Sequence, residues 1–161
     1  MDAPRAFSPA FGPASAAPAF RAPGFLATEA LAAADGFGPG VVARTVLVVE
    51  DDELVRETVV GELLDQGYLV IEAATAEEGL GILQTRPVGV LFTDIRLPGR
   101  MDGWDLAEAA RAVNPHLPVI YATGYSPEAP RFVEKSIFLR KPYLPSAVAA
   151  AIERLVGLSS K

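Results

Sequence analysis

Five short apolar runs recur along the chain from Thr45 onward, each followed by a segment of helical spacing or turn chemistry. They are "TVLVVE" (45–50), "YLVIEA" (68–73), "VGVLFTD" (88–94), "LPVIYAT" (117–123) and "SIFLRK" (136–141). The first is β-branched and too continuous for a half-exposed strand, and it suits a strand buried on both faces of a parallel sheet. Between the runs lie "DELVRETVVGELLDQG" (52–67), "TAEEGLGILQTR" (75–86), "DGWDLAEAARAV" (102–113) and, last, "LPSAVAAAIERLVG" (144–157). The first carries Leu54, Val55, Val59, Leu63 and Leu64 on one stripe and closes on Gly67. Thr75 and Glu78 stand at capping-box spacing, and Pro145 suits a first helical turn. Only the fourth connection, "GYSPEAPRFVEK" (124–135), is weak, because Pro127 and Pro130 shorten or distort any helix there. Strands alternating with helices predict an α/β doubly wound parallel sheet covered on both faces.

Composition shifts near Arg44. The preceding "APRAFSPAFGPASAAPAFRAPGF" is Ala, Pro, Gly and isolated Phe, with prolines too frequent for a regular helix or central strand. Residues 1–43 therefore read as an Ala/Pro-rich, mostly disordered extension, with one possible short helix over 25–35 and a folded domain over 44–158. Phe7, Phe11, Phe20 and Phe25 are candidate contacts within a segment that otherwise reads as a solvated extension. A net charge of −6 argues against a nucleic-acid surface spread over the chain. Cysteine is absent, which excludes disulfides and thiolate metal sites. No apolar run reaches membrane-spanning length, and the N-terminus makes a poor secretory signal; a cytoplasmic location is the expectation.

In doubly wound sheets, sites form at the carboxyl ends of the strands. Glu50, Asp51 and Asp52 end the first run, Asp94 the third, Thr123 the fourth and Lys141 the fifth, while the second ends blandly in "EAAT". Asp52 is explained as the cap of the following helix. Singly, Asp94 reads equally well as a turn cap, Thr123 as a loop hydroxyl and Lys141 as a solvated charge; four polar strand ends on one rim resist that account. Three carboxylates at one rim repel one another unless a cation sits among them. An all-oxygen set suits Mg²⁺, and the lack of nearby His or Cys argues against zinc; His116 precedes the fourth strand, at the opposite rim. A central carboxylate beside a metal can attack phosphorus and form an acyl phosphate, with Lys141 and Thr123 addressing other phosphoryl oxygens. Asp94 is the predicted nucleophile.

The segments "VLVVEDDELVRE", "LFTDIRLPGRMDGWDLA", "PVIYATGYS" and "FLRKPY" together resemble the receiver domain of two-component response regulators, over about residues 45–157. The resemblance implies a flavodoxin-like, five-stranded parallel sheet in the order 2-1-3-4-5. It implies that Glu50 and Asp51 hold Mg²⁺, that Asp94 is phosphorylated, and that Arg96 lends its backbone carbonyl to the metal. Thr123 then matches the switch hydroxyl, Lys141 the invariant lysine ahead of a cis proline, and Phe138 the switch aromatic. Arg96 and Tyr125 match positions that tune water access to the acyl phosphate. "YATGY" is also similar to a signature of some stand-alone alphaproteobacterial receivers and of receivers attached to hybrid kinases. Two departures stand out: "LPGRMDG" is one residue longer than the commonest form, and Phe138 lacks the hydroxyl of a tyrosine.

The function so implied is a phosphorylation-activated, single-domain switch. A histidine kinase or phosphotransfer protein phosphorylates Asp94, and a surface around the fourth helix region, fifth strand and last helix changes its preference for a downstream protein partner. Only "LSSK" follows the last helix, so output is expected through another protein or by relay of phosphate. Nucleic acid and membrane are not expected partners, and turnover catalysis is not expected. The segment 124–134 is expected to be more mobile than the other connections. An aspartyl-nucleophile phosphatase would carry a second acid where Arg96 stands. A phosphorylation-independent adaptor would not need Glu50, Asp51, Asp94, Thr123 and Lys141 together.

Overall fold

The computed structural model describes residues 20–21, 39–124 and 130–157. In chain order the elements are β1 (Phe20–Arg21), α1 (Pro39–Ala43), β2 (Thr45–Val49), α2 (Glu53–Asp65), β3 (Leu69–Ala73) and α3 (Ala76–Thr85). There follow β4 (Val90–Asp94), α4 (Gly103–Val113), β5 (Val119–Thr123), β6 (Ser136–Arg140) and α5 (Pro145–Gly157). The candidate helix 25–35 and Tyr125 lie outside the described residues.

The sheet order is β1-β3-β2-β4-β5-β6. The five strands β2 to β6 pair in parallel, in the predicted order. A sixth, two-residue strand, β1, joins the β3 edge antiparallel, with Phe20 opposite Ile71 and Arg21 opposite Val70. Thus two pieces of the segment read as an extension, Phe20–Arg21 and Pro39–Ala43, carry secondary structure. Arg21 is anchored by ion pairs to Glu57 on α2 and Glu72 on β3, partners no local sequence pattern indicates.

Continuous apolar runs form these strands because both faces are buried. Leu47 and Val49 of β2 face one core with Ile82, Trp104, Leu106 and Tyr121. Val46 and Val48 face the other, with Val59, Leu63, Val148 and Ile152. Each such side chain contributes about 1.5–3 kcal/mol when fully withdrawn from water. The last strand differs: β6 is half exposed along its length.

Helix ends follow side-chain chemistry. Asp52 caps α2 by accepting from the Val55 N–H at 3.1 Å. The Thr75 hydroxyl accepts from Glu78 N–H, and Glu78 reaches back to Ala74 rather than Thr75, so the capping box is offset by one residue. Gly67 ends the α2 turn at φ +87°. One element of the expected stripe is corrected: Leu54 is 78 % exposed, and the buried residues of α2 are Val59, Val60 and Leu63. At 3.6 residues per turn Leu54 lies about 180° around the helix from Leu63, on the side opposite the buried face, so it does not share the stripe. No helix occurs in the described part of the connection after β5, residues 130–135.

Candidate functional site

The rim at the carboxyl ends of β2, β4, β5 and β6 gathers the predicted residues. Asp94 is the last residue of β4, and its pairing with Ala122 sets it beside Thr123, the last residue of β5. Lys141 follows β6 directly; its N–H donates to the Thr123 carbonyl at 2.8 Å, and the Lys141–Pro142 peptide is cis. Glu50, Asp94 and Thr123 are buried, whereas Asp51 is exposed.

Lys141 Nζ donates to Asp94 Oδ2 at 2.6 Å and to Glu50 Oε2 at 3.3 Å. The other Asp94 oxygen accepts from the Arg96 N–H at 3.1 Å, and Glu50 Oε1 accepts from the Asp52 N–H at 3.1 Å. Arg56 donates to the Glu50 carbonyl at 2.8 Å, which ties the acidic strand end to α2. Every buried carboxylate of the rim is therefore hydrogen-bonded, as burial of charge requires.

Burial, with the nearby Asp94 charge adding to it, pushes the Glu50 carboxyl up to about 7, against the opposing pull of the Asp52 N–H and Lys141. For Lys141, burial works against the ammonium, but the hydrogen bond and charge of Asp94, with those of Glu50, outweigh it and push the pKa up to about 12. Lys141 is thus a fixed cation that only partly relieves the acids. Carboxylate oxygens of Glu50, Asp51 and Asp94 lie within 4.8 Å of one another. This all-oxygen set, with one exposed acid and one buried acid of raised pKa, fits Mg²⁺, which takes few carboxylates and retains waters.

The geometry decides what the site can do. A buried carboxylate, Asp94, sits at a rim that also supplies an ammonium and, with Glu50 and Asp51, a cluster fit for a divalent cation, the components phosphoryl transfer uses. The match to the response regulator receiver domain runs over residues 46–153. The chain belongs to the response regulator receiver family. It is 32 % identical over 122 residues to the sensor kinase CckA of Brucella abortus, covering 71 % of this chain and 13 % of that protein. It resembles the crystal structure of a response regulator receiver protein from Sinorhizobium medicae, with a TM-score of 0.67, 28 % identity and coverage of 70 % of this chain and 94 % of that one. The magnesium-bound receiver domain of a sensor histidine kinase from Pseudomonas aeruginosa shares the fold, with a TM-score of 0.64, 21 % identity and coverage of 71 % and 98 %. The matched stretch spans only 13 to 56 % of the length of the curated relatives.

Within this receiver, the sequence-predicted Glu50, Asp51, Asp94 and Lys141 come together, and Thr123 lies beside them. The Arg96 side chain is exposed and only its N–H contacts Asp94. Phe138 stands apart on β6: it is 39 % exposed and packs edge-on against Phe132, with ring centroids 5.6 Å apart. Sequence reasoning missed Arg56, whose role depends on a helix returning over a strand end, and Tyr143. The Tyr143 hydroxyl is buried without a hydrogen-bond partner among the described residues, and burial pushes its pKa up to about 12. It lines a groove of about 470 Å³ with Val55, Val59, Lys141 and Pro142, beside the rim.

Proposed function

We propose that this receiver is a phosphorylation-activated switch that accepts a phosphoryl group on Asp94 from a histidine kinase or phosphotransfer protein, and then alters its affinity for a protein partner or relays the phosphate. The observation that carries the reading is the placement of Asp94 against Lys141 at 2.6 Å within the acidic cluster. Glu50, Asp51 and Asp94 would hold Mg²⁺, with the Arg96 carbonyl as a further ligand. Bound there, the ion would neutralise the incoming phosphoryl oxygens.

The chain's own residues account for the rest. An Asp94 oxygen attacks phosphorus as the bond from phosphorus to the donor imidazole nitrogen breaks and its electron pair returns to that nitrogen; with the ring's other nitrogen protonated, the products are an acyl phosphate and a neutral imidazole. Lys141, held protonated by its acidic neighbours, exchanges its contact with Asp94 for one with a phosphoryl oxygen. Thr123 moves to donate to another, and Phe138, half exposed against Phe132, turns inward. The phosphoryl group shifts a pre-existing equilibrium through its differential affinity for the two states. Arg96 and Tyr125 tune water access, the reaction stops at one phosphoryl group per molecule, and the setting is cytoplasmic. No helix among the described residues is long and apolar enough to cross a membrane.

Incubation with acetyl phosphate and Mg²⁺ should add one phosphoryl group by intact mass. Asp94→Asn should add none. Equal labelling of the variant, or steady release of phosphate from small esters by the wild type, would overturn the reading.

A further inference from the structure

The connection from β4 to α4 is fixed at both ends. At its start, the Arg96 N–H donates to Asp94 Oδ1, and the Gly103 N–H returns to the Ile95 carbonyl at 2.8 Å. Gly103 lies so close that a Cβ there would sit 2.1 Å from the Asp94 carbonyl oxygen. At its middle, a residue from a different element takes over. Glu77, in the first turn of α3, accepts from the Arg100 N–H at 2.8 Å and the Met101 N–H at 3.1 Å, both on Oε1. Gly99, at φ +100°, lies directly beneath it; a Cβ there would meet the two Glu77 oxygens at 2.8 and 2.9 Å. This is the stretch in which "LPGRMDG" carries its additional residue.

We propose that Glu77 is a positioning residue that clamps the lengthened loop after Asp94 and so sets the reach of the Arg96 segment toward the cation at the acidic cluster. The lengthened loop has one more set of backbone dihedrals to order, and two adjacent N–H groups that need an acceptor. Glu77 supplies that acceptor from across the rim, 23 and 24 residues away in sequence. Its carboxyl is held below the usual range by its own N–H and those of Arg100 and Met101, so the clamp stays charged at neutral pH. The bare amide-to-carboxylate geometry makes the function one of acceptance, so a neutral acceptor of the same length preserves most of it. With the clamp released, the Arg96 to Arg100 stretch samples more conformations, and the cation meets a less organised set of oxygens.

The inference rests on the Mg²⁺ site of the proposed function, and the test separates the two. Mg²⁺ titration followed by Trp104 fluorescence, and amide hydrogen exchange of the metal-free full chain, are measured on wild type, Glu77→Ala, Glu77→Gln and Gly99→Ala. Expected are faster exchange at Arg100 and Met101 in Glu77→Ala, and Mg²⁺ affinity weakened about three- to tenfold, the worth of one or two net hydrogen bonds. Glu77→Gln should stay within about twofold of wild type. Gly99→Ala should weaken binding in the wild-type background and add less when Glu77 is already alanine. Normal wild-type Mg²⁺ binding with unchanged affinity and exchange in Glu77→Ala overturns the clamp alone. A lowered melting temperature with unchanged Mg²⁺ affinity also overturns it, by making Glu77 merely structural. Failure of the wild type itself to bind Mg²⁺ overturns the metal site, and the clamp's exchange signature then stands or falls separately.

Discussion

Two connections leave adjacent strands of the same rim and are held in opposite ways. The β4–α4 connection is fastened through its own N–H groups: Gly103 donates to the Ile95 carbonyl, Arg96 to the Asp94 carboxylate, and Arg100 and Met101 to the Glu77 carboxylate, with α4 begun by a complete capping box of Asp102 and Asp105. In the β5–β6 connection, the described residues 130–135 are held by the exposed Arg131, the half-buried Arg111 and the Val133 N–H, which donates to the Tyr121 hydroxyl at 3.4 Å. Arg131 pairs with Asp105 and Glu108 of α4, and Arg111 donates to the Glu134 carbonyl. The exposed Arg131 pairs contribute little net stability and are screened by salt. Aromatic edges add to them, Phe132 packing against Trp104, Tyr121 and Phe138. The lesson is a division of labour. The connection next to Asp94 is over-determined, whereas the one next to Phe138, the proposed switch aromatic, is fastened in its described part by contacts that can be exchanged at less cost.

Substitutions should expose this difference in graded fashion. Gly103→Val places a side chain against the Asp94 backbone and should cost more than about 4 kcal/mol or prevent folding, read by urea denaturation. A mild effect would show that the β4–α4 connection is looser than its contacts imply.

The next largest effect concerns Glu50. Its carboxyl is raised by burial from 4.5 to about 7, so the metal-free folded state binds a proton more tightly than the unfolded chain. Stability of the metal-free protein should then fall as pH rises through that window, by on the order of 3 kcal/mol at most. Glu50→Gln should flatten the dependence, and added Mg²⁺ should stabilise the wild type increasingly over the same range. Thermal melts at several pH values, with and without Mg²⁺, check both.

Phe132→Ala removes an exposed ring from the aromatic group and should cost about 1 kcal/mol, read by urea denaturation. The smallest change is expected for Arg131→Ala, with a melting temperature within about 2 °C of wild type at 0.15 M salt. A large loss there would erase the contrast between the two connections.

Much of the site was legible because its residues stand at strand ends, and strand ends follow from short apolar runs interrupted by turns. Glu50, Asp51, Asp94, Thr123 and Lys141 could be put on one rim from alternation alone. Asp52, Thr75 and Gly67 could be read as helix ends because a cap acts on N–H groups a few residues away. Leu54 is exposed because, at 3.6 residues per turn, it falls about half a turn away from Leu63, so an apolar residue next to a stripe need not lie on it.

The sequence by itself thus determined the alternation of strand and helix, the parallel sheet and the identity of the acidic rim, since these depend on periodicity, local capping and one-handed crossovers, while the order of the five strands followed from the resemblance of the strand-end motifs to a known family. Tertiary structure alone decided that Lys141 bridges Asp94 and Glu50, that Arg56 holds the Glu50 carbonyl, and that Glu77 holds the loop after Asp94. It also decided that Phe20–Arg21 completes the β3 edge. These contacts join residues far apart in sequence, and no periodicity encodes them. They exist only once the sheet has brought distant backbone groups within hydrogen-bonding reach and left each buried charge to find a partner.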